Sequence, residues 1–541
     1  MEESKENFDV VIVGAGFAGL YMLHRLRGLG LTVRVFEAGS GVGGTWFWNR
    51  YPGARCDVES VEYSYQFSDE LQQEWDWTER YAAQPEILRY ANHVADRFDL
   101  RKDIQFNTRV KSAIFDEERA RWLIETEAGN RISAKFCIMA TGCLSSMNLP
   151  KIPGIESFQG ATYHAGLWPH EGVDFTGKTV GVIGTGSSAI QSIPIIAEQA
   201  KLLFVFQRTP TYSVPARNRP LEREEMERIK SDYKGFRQRI AQTVFSLEVD
   251  MNDAPAMAVG PEERHRAFEE RWQRGGFRFQ GAFNDIVLNK DANDVAAAFV
   301  REKIHTLVRD PAVAELLSPR HAIGCKRLCF DTNYYETFNR SNVTLVDLQR
   351  SPIEEIVVQG IRTNERLYEL DCIVFATGFD AMTGALDRID IRGRDGLTLK
   401  EAWSAGPRTY LGLGTAGFPN LFTISGPGSP SVLTNMLPSI EQHVNWITDC
   451  IAYMGERQIG SIEATLDAQD AWVAHVNEVA NATLFPTANS WYLGANVPGK
   501  PRVFMPYIGF PPYVEKCNQV AAGGYAGFKL TTSAGDMAAA T

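Results

Sequence analysis

Phe8-Asp9-Val10-Val11-Ile12-Val13-Gly14-Ala15-Gly16-Phe17-Ala18-Gly19 is the stretch that decides the fold. Asp9 to Val13 is a short, apolar, β-branched run, which predicts a buried strand. The glycines that follow stand in Gly-x-Gly-x-x-Gly spacing. Leu20 to Leu29 is amphipathic and predicts a helix, and a second apolar run, Thr32 to Phe36, ends in Glu37. Strand, glycine turn, helix, strand and acidic end together make a dinucleotide-binding βαβ unit. Gly14 allows the tight turn, Gly16 the close approach of a pyrophosphate, and Gly19 the packing of helix on strand. The helix N-terminus offers free N–H groups to the phosphates, and Glu37 can accept hydrogen bonds from a ribose diol.

The pattern recurs. Lys178 to Ile183 predicts a second buried strand, Gly184-Thr185-Gly186-Ser187-Ser188-Ala189 a second turn, Ile190 to Gln199 a helix and Leu202 to Phe206 a strand. Here the strand runs into Gln207-Arg208-Thr209 instead of a carboxylate. A guanidinium binds a 2′-phosphate bidentately and a hydroxyl adds a donor, so the second nucleotide is expected to be NADPH rather than NADH. Two apolar strands end alike, at Ala140-Thr141-Gly142 and Ala376-Thr377-Gly378, and a domain crossing is expected just beyond each. Residues from about Val214 to Arg320 are charge-rich, with helical periodicity at Glu222 to Ile240, Glu262 to Gln273 and Ala292 to Leu307, and no strand-like run. The expected fold is therefore α/β: two Rossmann-like dinucleotide-binding domains. One comprises residues 1–145 and 380–541; the other spans 146–379 and carries a helical subdomain over about 214–322. Trp75 to Leu100 also predicts a helix, and the tail from about Thr532 is expected to be disordered.

At 541 residues the chain exceeds what one core usually serves. A formal charge of −11 argues against nucleic acid as a partner. No run is long enough to cross a membrane, and the acidic N-terminus lacks a signal-peptide stretch. Cys56, Cys137, Cys143, Cys325, Cys329, Cys372, Cys450 and Cys517 are scattered, as expected for buried thiols in a reducing cytoplasm. Cys325 and Cys329 have no histidine cluster beside them, so no metal site is expected. On composition alone the segment Arg50 to Ser60 reads as a solvated loop, Lys326-Arg327 as solvated cations, and Trp46 and Tyr63 as core aromatics.

Ahead of the second turn stands Phe158-Gln159-Gly160-Ala161-Thr162-Tyr163-His164-Ala165-Gly166-Leu167-Trp168-Pro169. With the two fingerprints around it, this stretch resembles the signature of the Baeyer–Villiger monooxygenases, and the chain looks closest to the phenylacetone and steroid monooxygenase group. The resemblance runs from Asp9 to about Leu530. It implies FAD at the first site, contacted by Gly44, Thr45, Trp46, Tyr63, Val110 and Met436. It implies NADPH at the second, with Lys326 reaching the 2′-phosphate and Trp491 hydrogen-bonding the nucleotide. Redox-active cysteines follow Gly-Gly-Thr in related disulfide reductases; Trp46-Phe47-Trp48-Asn49 stands here, which excludes dithiol chemistry at that position. By the same resemblance Arg327 stabilises charge on a flavin-bound peroxide, Asp57 orients Arg327, and Val432 and Leu433 line the substrate pocket. His164, in the linker before the second turn, reads as a structural residue that couples domain movement to nucleotide binding, with direct proton transfer as the alternative. The implied activity inserts an oxygen atom from O2 beside a ketone carbonyl, giving an ester or lactone, with no obligate protein partner. The alternatives are a flavin monooxygenase making N- or S-oxides and a non-catalytic flavin-binding sensor.

Overall fold

The computed structural model describes residues 6–502 and 506–532. Two β-sheets organise them, one mixed and one parallel. An eight-stranded sheet runs Asp390–Arg392, Val110–Asp116, Arg121–Thr126, Arg131–Met139, Asn7–Val13, Val33–Phe36, Ile104–Gln105, and Leu421–Thr423 also pairs with Arg131–Met139. The strand predicted first sits near its middle, parallel to both neighbours, with Val10 opposite Val33 and Phe136. The second sheet has five strands, all parallel, in the order Val343–Asp347, Leu202–Gln207, Thr179–Ile183, Cys372–Phe375, Ala161–His164. The fold is thus α/β with two Rossmann-like units, as expected. Strands covered on both faces read as continuous apolar runs, and Val10 to Ile12 are fully buried.

The helix after each turn closes its unit. Phe17–Gly28 buries Leu20, Leu23 and Leu26 completely and packs against the long helix Met436–Glu456, whose Leu437, Val444 and Ile447 are equally buried. Full burial of one such side chain is worth about 1.5–3 kcal/mol. Ser187–Gln199 follows the second turn.

Several helical expectations were too long. Trp75 to Leu100 holds a helix only over Gln84–Arg97, with Pro85 in its first turn. The preceding residues run across the chain instead: Cys56 N–H donates to Ala82 O and Arg80 N–H to Arg219 O, while Trp75 and Trp77 pack against Tyr90 at 5.2 and 5.1 Å. Glu222 to Ile240 breaks into Arg223–Ser231 and Tyr233–Ala241. Asp232 leaves helical geometry at the join and caps the second helix by accepting Gly235 N–H at 3.0 Å. The charge-rich region is not free of strand either, because Ser213–Pro215 pairs with Cys329–Asp331. Pro261–Arg274 and Lys290–Leu307 form near their expected places. The long helix Met436–Glu456 is capped by Asn435.

All eight cysteines are free and buried. Among the described residues no helix is long and apolar enough to cross a membrane, and no cluster of His, Cys, Asp or Glu could hold a metal ion. The tail expected to be disordered lies outside the described residues, apart from Thr532, which ends a strand paired with Ile459–Ala464.

Candidate active site

The first turn is shaped by close backbone contacts. Gly14 has φ +106°, and a Cβ there would lie 2.5 Å from Ala140 O, at the end of the neighbouring strand. A Cβ on Gly19 would lie 1.9 Å from Gly14 O, so the helix can approach the turn only with glycine in place. Gly16 and Gly44 face each other: a Cβ on Gly44 would meet Gly16 Cα at 2.9 Å. Gly16 stands at the N-terminus of a helix that has no side-chain cap and no acidic residue in its first turn. Glu37 is buried beside it, with Oε2 accepting Ala15 N–H and Oε1 accepting Gly39 N–H, both at 2.7 Å. Burial pushes its pKa up, and the two N–H groups oppose that push. Thr45 is exposed at the start of the short helix Thr45–Trp48. Trp46 is buried and its Nε1 donates to Tyr63 OH at 3.0 Å. Val110 is buried opposite Thr126.

The second turn repeats the backbone with different walls. Gly184 has φ +113°, and its Cβ would lie 2.4 Å from Ala376 O, whereas a Cβ on Gly186 would meet nothing within 4 Å. The helix Ser187–Gln199 also starts without a side-chain cap. Thr185 Oγ1 donates to Thr209 O at 2.9 Å. Arg208 and Thr209 are exposed, and Lys326 stands near Arg208: burial first, and then that guanidinium, pull the lysine pKa down. Among the described residues neither cation has an ion-pair partner. Ser187 Oγ lies 3.1 Å from Cys329 Sγ, and Ser188 adjoins Tyr51. An uncapped helix end beside two unneutralised cations fits a nucleotide carrying an extra phosphate.

Between the two turns the structure brings together Asp57 and Arg327, which lie 270 residues apart. Arg327 Nε and Nη2 each donate to the Asp57 carboxylate at 2.7 Å, and Nη1 donates to Val432 O at 2.7 Å. Burial pulls the Arg327 pKa down, but Asp57 outweighs it, so the guanidinium stays charged. Phe277 faces it, with the ring centroid 5.0 Å from Cζ. A cleft opens there, lined by Arg327, Leu433, Thr434, Phe245, Phe485 and Tyr492 among others. Leu433 therefore lies on the cleft wall, and Val432 serves through its carbonyl. Met436 is half-buried behind them at the head of its helix.

Sequence reasoning missed Phe277 and Tyr492. No motif marks the first, and the second is the neighbour of Trp491. Trp491 is half-buried with its ring 4.4 Å from that of Tyr492, whose pKa burial raises to about 12. The loop carrying both is fastened to the second crossing: Asn496 Nδ2 donates to Phe379 O at 2.7 Å and Lys500 pairs with Asp380.

The signature lies apart from this cleft, on an edge strand of the five-stranded sheet and the turn after it. Gly160 has no room for a side chain, because a Cβ would lie 2.4 Å from the Phe158 ring and 2.5 Å from Asp371 O. Trp168 is buried against Tyr163 and Phe175, and Pro169 O accepts Gly172 N–H. His164 Nδ1 accepts Gly166 N–H at 2.9 Å and Nε2 lies 3.4 Å from Thr377 Oγ1, which donates to Asn148 O. Burial lowers the His164 pKa, so a neutral imidazole ties the first linker to the second.

A family model described as pyridine nucleotide-disulphide oxidoreductase matches residues 11–252. A Baeyer-Villiger monooxygenase of Pseudooceanicola batsensis is 45% identical over 524 residues, which are 96% of this chain and 95% of that one. A solved oxidised steroid monooxygenase bound to NADP is 55% identical with a TM-score of 0.93, covering 97% of this chain and 100% of that one. A solved OTEMO complex with FAD and NADP is 42% identical with a TM-score of 0.94, covering 97% and 99%. With likeness along almost the whole length, this chain belongs to the Baeyer–Villiger monooxygenase family.

Proposed function

We propose that the protein is an FAD- and NADPH-dependent monooxygenase that converts ketones to esters or lactones with O2. The observation that carries the reading is the half-buried, bidentate Asp57–Arg327 pair at the wall of a largely apolar cleft, between two nucleotide-binding turns. When bound, FAD supplies the oxygen-activating chemistry and NADPH the hydride. We assign residues 1–145 and 380–541 to the FAD domain and 146–379 to the NADPH domain.

The residues supply placement and charge. Gly14, Gly16, Gly19 and Gly44 let the FAD pyrophosphate approach the backbone, and Glu37 keeps carboxylate lone pairs for the ribose. Thr45, Trp46, Tyr63, Val110 and Met436 complete that site. Gly184, Thr185, Gly186, Ser187 and Ser188 would bind the NADPH pyrophosphate, Arg208, Thr209 and Lys326 its 2′-phosphate, and Trp491 would hydrogen-bond the nucleotide. Arg327 holds a fixed positive charge where negative charge grows at the ketone oxygen, and Asp57 fixes the plane of the guanidinium. Leu433 and the cleft aromatics keep water out, which strengthens that electrostatic interaction. The helical insertion covers the cleft. A ketone, O2 and the two nucleotides suffice as partners, and eight buried thiols suit a cytoplasmic setting.

The test is Arg327→Ala, assayed with phenylacetone and cyclohexanone as probes. FAD content and NADPH binding should persist while ester formation falls at least about 100-fold, in line with loss of one electrostatic contact in a dry site. Ester formed at the parent rate would sink the assignment. Exclusive N- or S-oxide formation by the parent would favour the neighbouring class of flavin monooxygenase.

A further inference from the structure

Two residues beyond Asp57 the same loop carries Glu59, and this carboxylate has partners of its own. Its Oε1 accepts from Arg80 Nε and Nη2 at 3.0 and 2.8 Å and also pairs with Arg278 Nη1. The second Arg278 nitrogen, Nη2, reaches Glu248 Oε2 at 2.7 Å. Glu248 N–H in turn donates to the buried Glu62 at 3.0 Å. Burial, then the neighbouring Glu59, hold the Glu62 carboxyl well above the ordinary range. Glu248 and Arg278 belong to the helical insertion; Glu59, Glu62 and Arg80 belong to the chain around Asp57. A charge cluster therefore fastens the insertion to the Asp57 loop.

The insertion reaches this point through a turn that only glycine can make. Gly275 and Gly276 have φ +69° and +64°. A Cβ would lie 2.3 Å from Pro215 O at the first and 2.0 Å from Tyr81 OH at the second. The turn delivers Phe277 and Arg278 side by side. Phe277 stands 5.0 Å from the Arg327 guanidinium carbon and 4.6 Å from the Phe330 ring, while the Arg278 side chain is only 12% exposed beside Glu59. One loop thus holds three arginines through two acids: Asp57 grips Arg327, and Glu59 grips Arg278 together with Arg80.

We propose that Arg278 is a positioning residue for Arg327: its pair with Glu59 fixes the spacing between the Asp57 loop and the insertion, and so seats Phe277 against the guanidinium. The proposal rests on the reading of Arg327 given above. A buried ion pair adds little net stability but disfavours every geometry that would leave one partner alone. That is what a reacting centre needs, since displacements of about 1 Å can cost about 100-fold in rate.

Arg278→Met, Arg278→Lys and Glu59→Gln, each as holoenzyme, test it with three readouts. These are anaerobic flavin reduction by NADPH, ester formed per NADPH oxidised with phenylacetone or cyclohexanone, and amide hydrogen exchange. For Arg278→Met the ester yield should fall about tenfold or more, well beyond any change in flavin reduction. Exchange should rise in residues 57–60 and 326–330 as well as 275–280, and Arg278→Lys should recover most of both losses. An unchanged ester yield, or faster exchange confined to 275–280, overturns the proposal. If Arg278→Met does not accumulate folded, Glu59→Gln, which keeps the side-chain size, carries the same expectations. If the parent makes no ester from either probe, the reading of Arg327 fails. The exchange pattern then still decides whether Arg278 holds that arginine in place.

Discussion

The turns at Gly14 and Gly184 copy one another in backbone and differ in what surrounds them. Each glycine donates its N–H to the end of the next strand, to Phe36 O at 2.8 Å and to Phe206 O at 3.1 Å. Each would drive a Cβ into the alanine carbonyl of an Ala-Thr-Gly strand end, Ala140 or Ala376. Beyond that they part. The first turn is walled by Gly44 and ends on a buried carboxylate already engaged by two backbone N–H groups. The second is open at Gly186 and ends on an exposed arginine with a lysine nearby. On the proposed assignment, backbone shape serves the phosphates common to both nucleotides, and the residue at the strand end selects between them. Enclosure suits a cofactor that stays, and openness suits one that exchanges each turnover.

The largest effect should come from making the two turns alike. Gly19→Ala puts a methyl 1.9 Å from a backbone oxygen that cannot yield, while the equivalent residue of the second turn, Ala189, sits fully buried without difficulty. Gly19→Ala should cost at least about 3 kcal/mol and leave the protein with little flavin, judged by the thermal midpoint and the FAD absorbance per chain. Ala189→Gly should cost only about 1 kcal/mol, the usual helix penalty of glycine. Equal costs would mean that the first helix lies no closer to its turn than the second.

Next in size are the two strand ends. Glu37→Gln weakens the hold on Ala15 and Gly39 and removes the charge that accepts their N–H groups. We expect a loss of about 1.5–3 kcal/mol in FAD affinity, measured by flavin release, with NADPH binding to the holoenzyme hardly changed. Arg208→Ala should do the converse: FAD retained, NADPH affinity down by about 10- to 100-fold, and NADH unaffected because it lacks the 2′-phosphate. If NADH affinity fell equally, Arg208 would be holding the fold of the strand end rather than reading a phosphate.

Much of this contrast was legible in the sequence, because a tight turn, a helix start and a strand end are set by residues close together in the chain. Gly14 and Glu37 needed only their spacing. The helical insertion was less legible. Glu222 to Ile240 keeps helical periodicity across Asp232, yet the chain turns there because the carboxylate caps a new helix. Trp75 to Ala83 looks amphipathic, but its backbone is committed to distant partners such as Arg219 O. The cleft was the least legible from physics alone. Asp57 and Arg327 were matched by resemblance, and Phe277 and Tyr492 reach Arg327 from segments without a motif. Contacts across hundreds of residues depend on how the units pack, which periodicity does not encode.

The smallest effect separates the two cations of the Lys326-Arg327 pair. Burial, reinforced by Arg208, lowers the Lys326 pKa, so its ammonium is lost at a lower pH than usual as the solution becomes alkaline. Asp57 moves Arg327 the other way, and that guanidinium keeps its charge throughout. The sign follows. On the proposed assignment, as pH rises toward the lowered lysine pKa, free enzyme loses one of the two charges that would face the 2′-phosphate. NADPH affinity should then decline by about two- to fivefold, the usual worth of one partly exposed charge, while NADH affinity stays level. Binding of NADPH in that range should take up a proton, detectable as a buffer-dependent heat of binding, because the phosphate restores the ammonium. Lys326→Met should flatten the profile and abolish the proton uptake. A profile unchanged by that substitution would place the selection of NADPH in Arg208 alone.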